Sequence, residues 1–292
     1  MAKLALHGLC ALGVTVAFSA ANLAATPNAS NEGETKNAAS GKKFVVFDNM
    51  NLGQPDTKHL GMLPINCFDE RGLRRPDSKA GKDLGNEDFL EGKLPDKDKF
   101  LALIRNHAEK NPGPICMDFE KIFLKDKRTV KKRVHVFVTL AQWAKEAAPG
   151  RLVGYWGEGG DRLFPEDPGK NREEVKPLTE AVTAFFPNFY VWHDTTREGW
   201  HKQLKETMAL ANKIAPKKPV YIYLSPTYYG GKNKGKRIEG DFWQFQLESA
   251  KKCGADGVVI WGFARDRTKW DNDAPWWQQT LQFMKTLNEK GT

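Results

Sequence analysis

The sequence predicts a TIM-like, distorted (β/α) barrel with about seven parallel strands. Two observations lead there. Short apolar runs alternate with helical periods from Lys43 to the end of the 292-residue chain, and no repeat of fixed period replaces that rhythm. Such alternation requires parallel strands joined by right-handed crossovers. An open, doubly wound sheet would alternate in the same way. However, neither a GxGxxG nor a GxxxxGKT-type loop follows the first strand, so the nucleotide site of that architecture lacks its phosphate cradle. In a barrel, the active site belongs at the C-terminal ends of the strands.

The elements follow in order. Phe44 to Phe47 is a short buried strand, and Gly61 to Asn66 a second. Residues 69–96, rich in charge, Gly and Pro, form a long excursion. Phe100, Leu103, Ile104 and His107 recur at helical spacing until Pro112-Gly113-Pro114 stops the helix. Ile115 to Glu120 is the next strand. Val130, Val134, Phe137, Ala141 and Ala144 then mark one helix face, ended by Pro149-Gly150. Leu152 to Trp156 is a strand, Glu173 to Phe186 a helix interrupted early by Pro177, and Phe189 to Trp192 a strand. Trp200, Leu204, Met208, Ala211 and Ala215 stripe another helix, and the strand Val220 to Leu224 follows it. Phe242, Phe245, Ser249 and Cys253 line a helix ending at Gly254, with the strand Val258 to Trp261 after it. Trp277, Leu281, Met284 and Asn288 mark the last helix.

Composition bounds the class. With 40% hydrophobic and 11% aromatic residues the chain is not disordered throughout, and 26 Gly with 16 Pro exclude collagen-like and low-complexity types. Residues 1–25 read as a secretory signal peptide. Lys3 gives the positive start, Leu4 to Ala21 are apolar or small, and Ser19-Ala20-Ala21 or Leu23-Ala24-Ala25 offers a cleavage site. Leu9 to Ala25 approaches the length of a membrane anchor, but Ser19, Asn22 and the lack of a basic stop-transfer cluster favour cleavage. Residues 26–42 contain no large apolar side chain and read as a disordered leader, which leaves 43–292 as one barrel domain. The expected location is therefore secreted or periplasmic, with no membrane span after cleavage. The net charge of +9 falls by one with Lys3, and the exported chain stays basic.

Cys67, Cys116 and Cys253 remain in the mature chain. Their spacing is neither a CxxC zinc pattern nor a dense disulfide framework, and sequence leaves their pairing open.

Chemistry concentrates in one strand. Side chains alternate along Ile115 to Glu120, so Ile115, Met117 and Phe119 share the face that packs under helices. Cys116, Asp118 and Glu120 share the other, which in a barrel points into the lumen. Two carboxylates at a strand's C-terminal end are suited to acid–base work, because like-charge repulsion raises one pKa toward neutrality. Aromatics gather at the other strand ends: Tyr155 and Trp156, Tyr190 and Trp192, Tyr221 and Tyr223, and Trp261. Flat rings with polar tips suit a sugar-binding cleft. Any single ring is as well explained by core packing; the collection is the signal.

Five segments, in order, carry a family resemblance: Gly113-Pro-Ile-Cys-Met-Asp-Phe-Glu120, Pro149-Gly-Arg-Leu-Val-Gly-Tyr-Trp156, Phe186-Pro-Asn-Phe-Tyr190, Pro219-Val-Tyr-Ile-Tyr223 and Gly254-Ala-Asp-Gly-Val-Val-Ile-Trp-Gly262. Together they resemble the hyaluronidase family of glycoside hydrolases, over most of residues 43–290. The resemblance implies retaining cleavage in which the substrate's own 2-acetamido oxygen attacks the anomeric carbon, an exception to the two-carboxylate scheme. It implies Glu120 as the acid and base, and Asp118 as the residue that orients the acetamido group. Tyr190 and Trp261 match aromatic residues that hold that group. The family's remaining tyrosine falls on Trp156, with Tyr155 beside it, and Tyr223 completes the expected substrate-binding set. Lys121-Ile122-Phe123 replaces the family's usual Trp-Arg-Pro, and three mature cysteines cannot form its paired disulfides.

Two basic clusters bear on the substrate. Lys121, Lys125, Lys127, Arg128, Lys131, Lys132 and Arg133 follow the Asp-x-Glu strand, and Lys232, Lys234, Lys236 and Arg237 crowd a Gly-rich loop. They are either solvated surface or an attraction for an acidic polysaccharide or oligosaccharide. Export and the lack of a nucleic-acid motif argue against nucleic acid as the partner. No HExxH or GxSxG occurs, and His193-Asp194 stands without a third ligand, so no metal or cofactor is implied. The expected activity is hydrolysis of an N-acetylhexosamine-containing glycan. The alternatives are a related glycosidase using an ordinary carboxylate nucleophile, and a non-catalytic glycan-binding barrel.

Overall fold

The computed structural model describes residues 43–69, 89, 91–120, 124, 127–157, 172–263 and 270–289. The expected signal peptide and leader, most of the charged excursion, and Lys121 and Lys125 of the first basic cluster lie outside the described residues.

Eight short strands occur among the described residues: β1 (Val45–Asn51), β2 (Leu63–Pro64), β3 (Asn66–Asp69), β4 (Ile115–Asp118), β5 (Val153–Gly157), β6 (Phe186–Pro187), β7 (Tyr221–Leu224) and β8 (Gly257–Phe263). Six α-helices accompany them there: α1 (Lys97–Lys110), α2 (Val130–Ala147), α3 (Arg172–Ala181), α4 (Arg197–Ile214), α5 (Gly240–Lys252) and α6 (Pro275–Glu289). The ladders between these strands are parallel, as strand–helix alternation requires.

The strands form two four-stranded sheets, ordered β2-β1-β8-β7 and β3-β4-β5-β6. Isolated parallel bridges, Phe185 to Val220 and Asn188 to Tyr223, tie the end of the second sheet to β7. At the other join, residues 63–69 give their first half to β1 and their second half to β4. Strand order thus follows the chain around an α/β barrel, while the hydrogen-bonded ladders stop short of closing it. Counting the split segment once recovers the seven expected positions.

The split has a local cause. Asn66 donates from its amide to the carbonyls of Asn111 and Gly113, both at 3.1 Å, and its backbone N–H bonds to Pro114 at 2.9 Å. The 111–114 turn therefore presses on Pro64, and a Cβ at Gly113 would lie 1.9 Å from the Pro64 carbonyl oxygen. Only glycine fits there.

Alternation along the strands sorts the core into two layers. Val46, Ile115, Met117, Phe119, Val153, Tyr155, Ile222, Val258 and Ile260 face outward and join the buried faces of the helices. Phe47, Ile65, Cys116, Trp156, Phe186, Tyr190, Tyr221, Tyr223 and Val259 form a separate inner cluster. The inner cluster fills the lumen, and each large ring buried there contributes about 1.5–3 kcal/mol.

Two expected elements move. The helix expected over Glu173–Phe186 ends at Ala181, and the strand expected at Phe189–Trp192 is instead Phe186–Pro187. Val182, Ala184, Phe185 and Phe186 continue the apolar run, and their helical and strand readings are indistinguishable by pattern. Packing decides: Phe186 turns inward and stacks on Tyr221 at 5.6 Å.

Candidate active site

Strands β3 and β4 pair in strict register, with Cys67 opposite Cys116 and Asp69 opposite Asp118. Parallel neighbours lie about 4.8 Å apart, so each pair is side by side. Because Cys116 belongs to the inner cluster, its i+2 neighbour Asp118 points to the same side at the strand's C-terminal end. Asp118 is half-buried, and its Oδ1 is fully shielded from water.

The layer below is polar, with Cys67 partly exposed and Cys116 buried. Tyr223 is buried, and its hydroxyl accepts a 3.3 Å hydrogen bond from the Asn49 amide. Burial pushes the Tyr223 phenol well above its ordinary range. Cys67 and Cys116 hydrogen-bond to each other here. That bond holds the Cys67 thiol low, whereas burial pushes the Cys116 thiol well up. All three described cysteines are free thiols.

Above this layer stand three of the expected aromatics. Tyr190 stacks on Trp261 at 5.3 Å with 23° between the rings, and it meets Trp156 at 6.0 Å. Burial pushes the Tyr190 phenol well up, and the negative charge of Asp118 acts in the same direction. A hydrogen bond from the Trp156 indole opposes both. Tyr190 therefore keeps its phenolic proton within the electrostatic reach of Asp118.

The expected residues do not all gather. Trp156, Tyr190 and Trp261 come together, with Asp118 and the buried Tyr223 within electrostatic reach of Tyr190. Tyr155 does not join them: it belongs to the outer layer, 4.6 Å from Phe137, and its hydroxyl donates to the Phe137 carbonyl at 2.8 Å. One-residue parity separates it from Trp156, which corrects its expected role in contacting sugar. Glu120 lies two residues beyond the end of β4, in an exposed turn rather than inside the strand.

Asp69 is the residue the sequence reading passed over. The second strand was expected to end at Asn66, which left Asp69 in the excursion. Its signal was present: Cys67-Phe68-Asp69 and Cys116-Met117-Asp118 are the same Cys-x-Asp triplet, each at the end of a strand. Tyr229, which lies in the loop beyond β7, packs on Tyr190 at 5.4 Å. Among the described residues no group of three or more His, Cys, Asp or Glu is placed to hold a metal ion.

The basic clusters separate in character. Lys132 pairs with Glu91 at 3.6 Å, and the Arg237 guanidinium lies 5.5 Å over the Trp276 ring. Lys232, Lys234 and Lys236 are exposed.

No family model matches the chain, and no curated protein sequence does. Solved structures do. Bee venom hyaluronidase superposes with a TM-score of 0.55 at 16% identity, covering 85% of this chain and 98% of that one. A second structure of the bee enzyme, in complex with a hyaluronic acid tetramer, gives the same TM-score at 17% identity. The fold resembles that of a hyaluronidase. A broad-specificity endoglucanase from an uncultured bacterium follows at a TM-score of 0.51 and 12% identity, covering 84% of this chain and 82% of that one. At such identities the likeness is one of fold: an α/β barrel of the kind used by glycosidases.

Proposed function

We propose that the protein is an exported glycoside hydrolase acting on an N-acetylhexosamine-containing glycan with retention of configuration. The observation that carries this reading is the Trp156–Tyr190–Trp261 aromatic group at the end of the lumen where the inward-facing Asp118 closes β4. A 2-acetamido group needs a carboxylate for its N–H and a donor for its carbonyl. Asp118 and Tyr190 supply that pair.

In the first step the Glu120 carboxylic acid gives its proton to the glycosidic oxygen, and the bond from that oxygen to the anomeric carbon breaks. The acetamido oxygen forms the new bond to that carbon. Asp118 orients the acetamide and offsets the positive charge that develops on it. In the second step Glu120, now a carboxylate, takes a proton from water as the water attacks the anomeric carbon and releases the acetamido oxygen. Half-buried Trp261 offers its ring to the sugar, while buried Trp156 holds the Tyr190 phenol through its indole N–H. The exposed position of Glu120 leaves it in contact with solvent water.

The test is Glu120→Gln in a reducing-end assay over acetamido and non-acetamido glycans. A rate at least 10²-fold below wild type, with the circular dichroism spectrum intact, supports the assignment. An unchanged rate ends it.

The register pairing of Asp69 with Asp118 favours a second reading, in which a carboxylate attacks the anomeric carbon directly and Glu120 remains the acid. Hydrolysis of sugars that lack a 2-acetamido group would select it. Saturable glycan binding with no new reducing ends would select a non-catalytic barrel.

A further inference from the structure

We infer that Trp192 and the loop after β7 form an outer subsite that takes an anionic sugar unit of the glycan chain. The inference rests on the glycan reading of the lumen and extends it to a place that reading does not reach.

Burial should hide an indole, yet Trp192 is 50% exposed. It is not loosely held. Its backbone N–H donates to the Thr195 hydroxyl at 2.8 Å, and it forms a parallel bridge with Gly230. A Cβ at Gly230 would lie 2.2 Å from two carbons of the Trp192 ring, so the ring lies directly against that backbone. The loop is shaped around the indole. A rigid aromatic surface open to solvent is a preorganised stacking platform for a pyranose ring, since little side-chain freedom is lost on binding.

Position gives the platform its meaning. Trp192 meets Tyr229 edge-on at 6.0 Å, Tyr229 meets Tyr190 at 5.4 Å, and Tyr190 stacks on Trp261 at 5.3 Å. Four rings therefore run without a break from the Asp118 site to the surface. The same loop supplies charge. Its backbone closes on itself, with Gly235 bonded to Tyr228 at 2.9 Å and Lys236 to Asn233 at 2.9 Å, and exposed Lys232, Lys234 and Lys236 project from it. A carboxylate- or sulfate-bearing sugar satisfies both features, stacking on the ring and lying in the field of the lysines.

The test uses a hexasaccharide of alternating glucuronate and N-acetylglucosamine, neutral chitohexaose, and the corresponding disaccharides. Binding is measured calorimetrically to the Glu120→Gln protein, which removes turnover. Trp192→Ala should weaken both hexasaccharides by about tenfold and leave the disaccharides within twofold. Trp192→Phe should restore most of the loss, and Gly230→Ala should reproduce it by displacing the ring. Replacing Lys232, Lys234 and Lys236 with Ala should weaken only the glucuronate ligand, and that difference should vanish at 1 M salt. Trp192→Ala binding either hexasaccharide within twofold of its parent overturns the platform. Equal loss for charged and neutral ligands on removing the lysines overturns the anionic preference. Wild-type protein that makes reducing ends while both hexasaccharides bind no better than the disaccharides sinks the subsite and leaves the hydrolase reading standing. Binding without new reducing ends from any glycan does the reverse.

Discussion

Asp69 and Asp118 are register partners at the C-terminal ends of neighbouring parallel strands, directly above the Cys67–Cys116 pair. Two carboxylates so placed cannot serve one substrate group in the same way, and their replacement should separate the two catalytic readings. With acetamido participation, Asp118→Asn should lower kcat by about 10²-fold or more, because the lost charge acts on the transition state. Asp69→Asn should then cost much less. If a carboxylate attacks directly from β3, Asp69→Asn should abolish turnover. Steady-state kinetics on one acetamido glycan decides between them.

The sequence reading succeeded where period-2 and period-3.6 patterns were long. Parity alone turns Cys116 inward and Met117 outward, and the inner and outer clusters agree. It carries Glu120 inward as well, but β4 ends at Asp118 and Glu120 stands exposed in the turn beyond it. It failed where a pattern was short or shared. Residues 182–186 fit helix and strand alike, and tertiary packing of Phe186 settled the matter. Tyr155 lies outside the cleft because successive side chains on β5 point to opposite faces, which adjacency to Trp156 in sequence does not reveal. Asp69 was lost because the Asn66–Asp69 strand is set by pairing with β4, which local sequence does not encode.

Burial also fixes an alkaline limit on stability. The phenols of Tyr155, Tyr190 and Tyr223 are pushed well above their ordinary range by burial, and those of Tyr221 and Tyr228 to about 12. A raised phenol pKa means the folded state holds its proton more tightly than the unfolded chain. The stabilisation is complete below about pH 10, the unfolded value, and is lost as pH rises through the folded values. Absorbance at 295 nm should therefore show little tyrosinate at pH 10, then a cooperative rise coincident with loss of circular dichroism. Gradual ionisation of most tyrosines near pH 10 in a folded protein would contradict the burial of these phenols.

One buried hydroxyl bridges the α5–α6 contact beside the packed Trp243 and Trp276 rings. Thr280 accepts from the buried Trp243 indole at 2.9 Å and donates to the Trp276 carbonyl at 2.9 Å. Thr280→Val keeps the shape and leaves the indole N–H without that acceptor. The expected loss is about 1–3 kcal/mol, read from urea unfolding with an unchanged m-value. Thr280→Ser keeps the hydroxyl and should recover most of the loss relative to valine. Valine as stable as wild type would show that the indole finds another acceptor.

The last prediction uses thiol chemistry to report on the lumen. Cys116 is fully buried and its thiol is pushed well up by burial, so its thiolate is scarce at neutral pH. Cys253, at the end of α5, is also raised by burial. Cys67 differs: it is partly exposed, and the hydrogen bond with Cys116 holds its thiol low. Since the thiolate is the nucleophile, one equivalent of iodoacetamide at pH 7.5 should label Cys67 ahead of the other two. The adduct would occupy the space beneath Asp118 and Tyr190 and should reduce glycan turnover in proportion to labelling. A bound oligosaccharide should protect Cys67 while leaving Cys253 reactive. Peptide mapping by mass spectrometry reads both effects. Equal labelling of Cys67 and Cys253, with no protection by any oligosaccharide that binds, would separate the thiol pair from the sugar-binding lumen.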